Sequence, residues 1–312
     1  MKLDIIIPNY NGSHLLKKNI PDIIKAIKEY KNISIIVVDD GSKPEDVITL
    51  RKTLDAVNMS SKTPVILIER EKNGGFSSAV NTGVKASKAD FVFLLNSDAV
   101  PYKGFFEPIL KRFEENENLF GVGCMDISIE GDRKIKRGRG VAFWKKGILR
   151  HKKGEIKNSS NTFWISGGSS VIKRELYVKF NGMDEIYNPF YWEDIDLSYR
   201  VQKAGYEIAF EEGSIVEHRH DEGAIKTHFK KNKITTIVYR NQFIFHWKNI
   251  TDGKLMVSHI FWLPFHLINA AIGRDFNLLQ GFFQALKKFS EIRRKRDLQK
   301  KLYKRRDTEI IK

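Results

Sequence analysis

The chain has 312 residues, 41% of them hydrophobic and 29% charged, with a formal net charge of +16. That length and apolar share suffice for one large core or two modest ones and exclude a disordered chain. A single cysteine, Cys124, excludes an intramolecular disulfide; in the apolar run FGVGCMDI it reads as a buried core residue, consistent with a reducing compartment.

The N-terminus, MKLDIIIPNYNG, has only a three-residue apolar run before Pro8 and reads as a first strand rather than a secretory signal. From there β-branched runs alternate with longer helical stretches. LDIII (3–7) precedes a helix within 13–30 whose Leu15, Leu16, Ile20, Ile23, Ile24 and Ile27 share one side. ISIIVV (33–38) precedes 44–58, PVILI (64–68) precedes 76–87, and DFVFLL (90–95) ends in NSD. Continuous apolar strands separated by helices predict a parallel sheet covered on both faces, with ligands bound beyond the carboxyl ends of its strands.

The residues at those ends are Pro8-Asn9-Tyr10-Asn11, Asp39-Asp40-Gly41-Ser42, Glu71-Lys72-Asn73-Gly74-Gly75 and Asn96-Ser97-Asp98. Each loop alone reads equally as a turn or a helix cap. Four polar loops on one rim point instead to a binding site. The rim lacks the G-x-G-x-x-G of dinucleotide sites and the G-x-x-x-x-G-K-[ST] phosphate loop. It offers carboxylates: Asp40, able to accept hydrogen bonds from a base edge or ribose, and Asp98, suited to a hard divalent cation that phosphate oxygens also hold.

The segment 131–157 carries eleven Lys/Arg against two acids, and 287–312 twelve against four, so the rest is near neutral. Such patches attract nucleic acid, anionic lipid headgroups or phosphorylated substrates. Ser166-Gly167-Gly168 lets a backbone approach a ligand closely, or forms a tight turn.

Residues 191–200, YWEDIDLSYR, set three acids beside two aromatics. Leu197, Val201 and Ala204 fall at helical spacing, and Asp196 and Arg200 are an i, i+4 pair. Helix formation leaves Trp192, Glu193 and Asp194 unexplained. A carboxylate at that loop-to-helix junction, walled by aromatics, is desolvated and fixed in direction, as a general base requires.

In the last ninety residues, 255–273 are nineteen uncharged positions between Lys254 and Arg274, interrupted by Ser258, His259, Pro264, His266 and Asn269. The run reads as a bilayer span, an interfacial segment or a core helix. Leu279, Phe282, Phe283, Leu286 and Phe289 then recur at helical spacing before KKFSEIRRKR, as in a helix on an anionic membrane or one packed on the body with a solvated tail.

The motifs IIIPNYNG, VVDDGS, NGGFSSAVNTG, LLNSDA, ISGGSSVIKRE and WEDIDLSYR, in that order over about 1–220, resemble family 2 glycosyltransferases, with the nearest likeness to bacterial rhamnosyltransferase-like members of cell-envelope polysaccharide pathways. The resemblance implies an inverting enzyme with a GT-A type α/β fold and a mainly parallel central sheet. Residues 1–225 would form the catalytic domain, with 1–100 binding the nucleotide-sugar and 101–225 the acceptor; 226–312 would be a helical basic extension. It implies that Asp40 reads the nucleobase, with Pro8, Asn9 and Tyr10 in the same pocket and Asn73, Gly74 and Asn81 in a loop beside the nucleotide. Asn96-Ser97-Asp98 stands where the family carries D-x-D. The chain departs there, so Asp98 alone takes the metal role, while Asn96 and Ser97 contact the donor. Asp194 would be the catalytic base, with Trp192, Glu193 and Gly167 on the acceptor side. Some relatives put a histidine on the cation where IVEHRH places His218, and His220 is a weaker candidate; a histidine after a strand is also an ordinary satisfied residue.

The expected partners are a nucleoside-diphosphate-sugar, a divalent cation (Mn or Mg) and a glycan acceptor on a polyprenyl diphosphate near segment 131–157. The expected location is cytoplasmic, on the inner face of the cell membrane, held through the basic C-terminus. Two other readings are a nucleic-acid-binding protein and a metal-dependent phosphohydrolase built on Asp39-Asp40. The first leaves the three separated acids unexplained, and the second needs more acids or histidines than the rim supplies.

Overall fold

The computed structural model describes residues 1–130, 133–156, 160–218 and 229–311. Its first part alternates as the apolar runs require: β1 (Leu3–Asn9), α1 (Ser13–Ile27), β2 (Ile33–Asp39), α2 (Pro44–Ser60), β3 (Val65–Glu69), α3 (Phe76–Ala86) and β4 (Phe91–Leu95). Then follow β5 (Ala99–Pro101), α4 (Phe106–Glu115), β6 (Leu119–Glu130), β7 (Arg133–Arg137), β8 (Gly140–Lys145), β9 (Ile148–Lys153), β10 (Ser169–Lys173), α5 (Arg174–Lys179), α6 (Glu193–Lys203) and β11 (Glu207–His218). Among the described residues four α-helices follow, α7 (Lys231–Asn249), α8 (Gly253–Ile272), α9 (Phe276–Leu286) and α10 (Phe289–Lys300).

The main sheet runs β3-β2-β1-β4-β10-β6-β11-β5, with β7 paired to β6 and β8–β9 a separate hairpin. From β3 to β4 it is parallel, as expected. Beyond β4 the expectation of a mainly parallel sheet gives way: β10 is antiparallel to both β4 and β6, and β5 is antiparallel to β11, so the whole sheet is mixed. The chain between β6 and β10 is an excursion of strands, and strands returning without a crossover helix pair antiparallel.

The period-2 alternation of buried strands assigns the two faces. Ile5, Ile7, Ile35 and Val37 pack under α1, α2 and α4, whereas Ile6, Ile36 and Val38 pack under α3, α5 and α6. A third core joins Tyr187, Trp192 and Tyr199 to Phe243, Phe245 and Trp247 of α7 and to Ile292 of α10. Ion pairs inside it bind the last ninety residues to the body. Lys248 Nζ lies 2.5 Å from Asp184 Oδ2 and 2.8 Å from Asp196 Oδ1, and Lys203 Nζ lies 2.6 Å from Asp307 Oδ1. The basic helix α10 contributes to this packing, with Lys295 2.8 Å from Asp184 and Arg296 donating to Trp247 O.

Candidate active site

A cleft of about 670 Å³ opens at the carboxyl ends of β1, β2 and β4. The parallel register sets Asn9 beside Asp39, and Asn9 Nδ2 donates to Asp39 Oδ1 at 2.9 Å. Pro8, Asn9, Tyr10, Asp40 and Asn73 line the cleft. Asp40 also builds its wall. Its carboxylate accepts from Gly74 N at 3.0 Å and Gly75 N at 2.8 Å, and Arg70 Nε lies 2.8 Å away. Burial pushes the Asp40 carboxyl up, against the pull of those N–H groups and Arg70. Most of its acceptor capacity thus goes to shaping loop 70–75, and less is left for a base edge than the sequence suggested. Gly75 turns that loop at φ +89°, a conformation that disfavours a side chain.

Two expected donor-side residues lie off the cleft. Gly74 presents its N–H to Asp40 and its carbonyl to Asn188. Asn81 sits within α3 and holds a distant turn, donating to Met183 O at 2.9 Å and accepting from Tyr177 OH at 2.7 Å. The helix has carried it past the rim.

Asn96, Ser97 and Asp98 follow β4 and do line the cleft. Asp98 Oδ1 is 2.8 Å from His218 Nε2, while Asp126 Oδ2 is 2.8 Å from His218 Nδ1. Burial would lower the His218 pKa, but the two carboxylates overcome it and hold it up at about 10. Asn96 Nδ2 lies 3.4 Å from His218 Nε2. Asp126 was missed in the sequence, although a lone acid inside the apolar run FGVGCMDI signals a buried partner. Among the described residues no group of three or more His, Cys, Asp or Glu side chains is arranged to enclose a metal ion. The 2.8 Å Asp98–His218 contact is a hydrogen bond, so a cation held by this pair, with its other ligands from phosphate, would have to displace the proton on His218 Nε2. His220 falls outside the described residues.

Opposite, α6 begins at Glu193. Asp194 is half-buried; Ile195 N donates to its Oδ1 at 2.7 Å and Gly167 N to its Oδ2 at 3.3 Å. Burial raises the Asp194 pKa against these hydrogen bonds. Glu193, 5% exposed, has Oε2 without a hydrogen-bond partner and lines the cleft. Burial and then the charge of Asp194 push its carboxyl well above the usual range. The acids are aimed by two consecutive left-handed residues, Tyr191 at φ +69° and Trp192 at φ +77°. Non-glycine residues adopt this conformation only when their surroundings fix it. Here Asn241 of α7 does so, its Nδ2 donating to Tyr187 O (2.7 Å), Phe190 O (3.0 Å) and Tyr191 O (2.8 Å).

This turn buries Trp192, read from the sequence as acceptor-side, off the cleft. Its indole points into the third core against Phe245, and it meets His151 edge-on with centroids 5.4 Å apart. His151 and Tyr191, neither singled out in the sequence, line the cleft in its place. So do Arg137, Arg139, Lys152, Lys153 and Trp164, so the basic segment contributes to the same cleft as the acids. Arg139 is committed to the backbone, donating to Asn161 O at 2.6 Å and Glu155 O at 2.8 Å. Trp144, by contrast, packs on His246 and α8.

Comparison with known proteins adds sequence and fold relatives. The family model described as glycosyl transferase family 2 matches residues 4–180. The pre-mycofactocin glycosyltransferase of Mycobacterium tuberculosis is 22% identical over 209 residues, 66% of this chain but only 41% of that protein. Glycosyltransferase GlyG of Streptococcus pneumoniae is 24% identical over 231 residues, 72% of each chain. In fold, the mannosyltransferase PcManGT of Pyrobaculum calidifontis, solved with GDP-Man and Mn2+, superposes with TM-score 0.59 over 96% of this chain and 84% of its own, at 15% identity. That likeness places the α/β architecture among GT-A folds.

Proposed function

Because the chain belongs to glycosyl transferase family 2, the match covering more than half its length, we propose that it moves a sugar from a nucleoside diphosphate to an acceptor hydroxyl with inversion at the anomeric carbon. The observation that carries this reading is the convergence of Asp40, Asp98 and Asp194, distant in sequence, on one cleft of about 670 Å³.

The donor enters along the β1–β4 rim, its nucleoside against Pro8, Asn9, Tyr10 and Asn73 and its diphosphate toward Asp98. Asp98 and His218 would hold a divalent cation, Mn or Mg, which supplies Lewis-acid neutralisation of the departing diphosphate. PcManGT is described with GDP-Man and Mn2+, which supports a donor and cation of that class here. Asp194 accepts the proton of the attacking hydroxyl, an effect typically worth ~10²–10⁴-fold. The Gly167 and Ile195 N–H groups orient the Asp194 carboxylate. Glu193, whose carboxyl burial and then the charge of Asp194 hold toward the protonated form, offers the acceptor a hydrogen bond.

The basic wall supports an anionic acceptor. We place the acceptor glycan on a lipid diphosphate in cell-surface polysaccharide synthesis, at the inner face of the cell membrane, with Lys152 and Lys153 facing the phosphates. The acids lining the same cleft would repel a nucleic acid.

The test is Asp194→Asn. It should fold and keep nucleotide-sugar protection against thermal unfolding while transfer falls by ~100-fold or more. Near-wild-type turnover would remove Asp194 from the chemistry.

A further inference from the structure

The outward face of α8 is apolar and unpartnered. Val257, Ile260, Phe261, Phe265, Ile268 and Ile272 recur at three- and four-residue spacing and are 45% to 77% exposed. The neighbouring α9 adds exposed Phe276, Phe283 and Leu286. Isolated exposed apolar residues are ordinary, but a continuous helical stripe of this kind marks an interaction surface.

The opposite side of α8 is pinned to the β8–β9 hairpin. Trp247 Nε1 donates to His259 Nε2 at 3.0 Å, so the proton on His259 Nδ1 goes to Gly147 O at 2.7 Å. His266 Nε2 donates to Lys146 O at 2.8 Å. Gly147, at φ +74°, fits so closely that a Cβ would lie 2.7 Å from Ser258 O. These contacts fall at the seventh and fourteenth of twenty helical residues. A helix attached to a globular body through its middle lies along that body and cannot cross a bilayer.

Charge identifies the occupant. No acid occurs from Gly253 to Arg274; Lys254 and Arg274 bracket the stripe, and exposed Lys146 borders it from the hairpin, which also carries exposed Lys145 and Arg150. Lys146 Nζ lies 5.5 Å from the Trp262 ring centre and 6.0 Å from that of Phe265. The acids at the helix ends are engaged: Asp252 accepts from Thr308, and Asp275 accepts from Leu278 N and Tyr239 OH. A second copy of the chain would bring the same cations against these, since an isologous contact pairs each patch with itself.

We propose that α8 lies flat on an anionic lipid bilayer, its apolar stripe in the headgroup–acyl boundary and its bordering cations on the lipid phosphates, and that this surface rather than α10 holds the chain there. The hairpin whose tip rests on α8 also gives His151, Lys152 and Lys153 to the cleft wall. Docking through α8 therefore turns the acceptor side toward the membrane. That consequence rests on the lipid-linked acceptor proposed above, whereas the docking stands on the helix alone.

The experiment is flotation of the whole chain with vesicles of phosphatidylcholine alone or with about one third phosphatidylglycerol. Wild type should float with the anionic vesicles and be released by salt. The Phe261→Gln/Ile268→Gln double variant, altered only at exposed positions, should bind about tenfold or more weakly. Arg293→Gln/Arg294→Gln in α10 should still float, and all three proteins should show equal nucleotide-sugar protection without vesicles. The proposal is overturned if wild type ignores anionic vesicles, if the α8 variant floats as well as wild type, or if the α10 variant is lost as completely as the α8 variant. It is also overturned if vesicle-free wild type is a dimer that the α8 variant makes monomeric. Loss of nucleotide-sugar protection in wild type would instead count against the function proposed for the cleft.

Discussion

Glu193 and Asp194 are sequence neighbours facing the same cleft, and their burial separates their titration. Asp194 ionises first, its charge then raising Glu193 further. Transfer should therefore fall as pH drops through the raised pKa of Asp194, at higher pH than a free carboxyl would give; a log-rate profile checks this. Stability carries the Glu193 signature. A carboxyl raised in the folded state costs nothing below its unfolded pKa and an increasing amount as pH rises toward its folded value. Glu193→Gln should thus melt like wild type near pH 4 and gain on it with rising pH, by about 1.4 kcal/mol for each pH unit between those two values. Equal pH dependence of the two melting temperatures would mean that Glu193 ionises freely. At the other end of the cleft, Asp98→Asn should raise the Mn concentration needed for half-maximal transfer while leaving Asp126 on His218.

Among the elements, α7 has the least visible role in the sequence and a direct one in the structure. Its Asn241 holds three carbonyls of the turn that aims Asp194. Asn241→Leu leaves the Phe190 and Tyr191 carbonyls without this donor, at about 1–3 kcal/mol each and incompletely additive, while Tyr187 O keeps Arg240. The expected result is a lower kcat with an unchanged KM for the donor; Asn241→Asp, which keeps the shape but brings carboxylate oxygens to the carbonyls, should be no better. The first hundred residues were legible because the buried alternation of Ile5, Ile6 and Ile7 and the rim loops after each strand are local signals. The adjacent acids at 193–194 stood out for the same reason: acids preceding a helical stripe are a local signal. The antiparallel entry of β10, the inward turn of Trp192, the placement of Asn81 and the Asp126–His218 contact were not, because each depends on residues about fifty to a hundred positions apart or on a left-handed backbone that no local pattern specifies. The basic segment was found by counting charge, but its place in the cleft needed the hairpin to be folded.

At the scale of the whole molecule, the C-terminal helices are fastened to the body by buried charges. Burial works to raise Asp184 and Asp196, yet Lys248 and Lys295 hold Asp184 far below the usual carboxylate range, and Lys248 and Arg200 lower Asp196. Carboxyls depressed in this way give stability that is present above their unfolded pKa and is lost as pH falls below about 4. Lys248→Met leaves both acids with fewer partners and should cost about 3–5 kcal/mol at neutral pH by urea titration, less near pH 3. An unchanged midpoint would detach this network from the stability of the fold.

All of this depends on donor and acceptor meeting between the β1–β4 rim and the start of α6. The most direct measurement is a crystal structure with a bound nucleoside-diphosphate-sugar and manganese, the donor having been found by thermal protection. The expected result is a nucleoside against Pro8–Tyr10, manganese between the diphosphate and Asp98, and the anomeric carbon turned toward Asp194. A donor seated elsewhere, or one whose sugar points away from Asp194, would contradict the account.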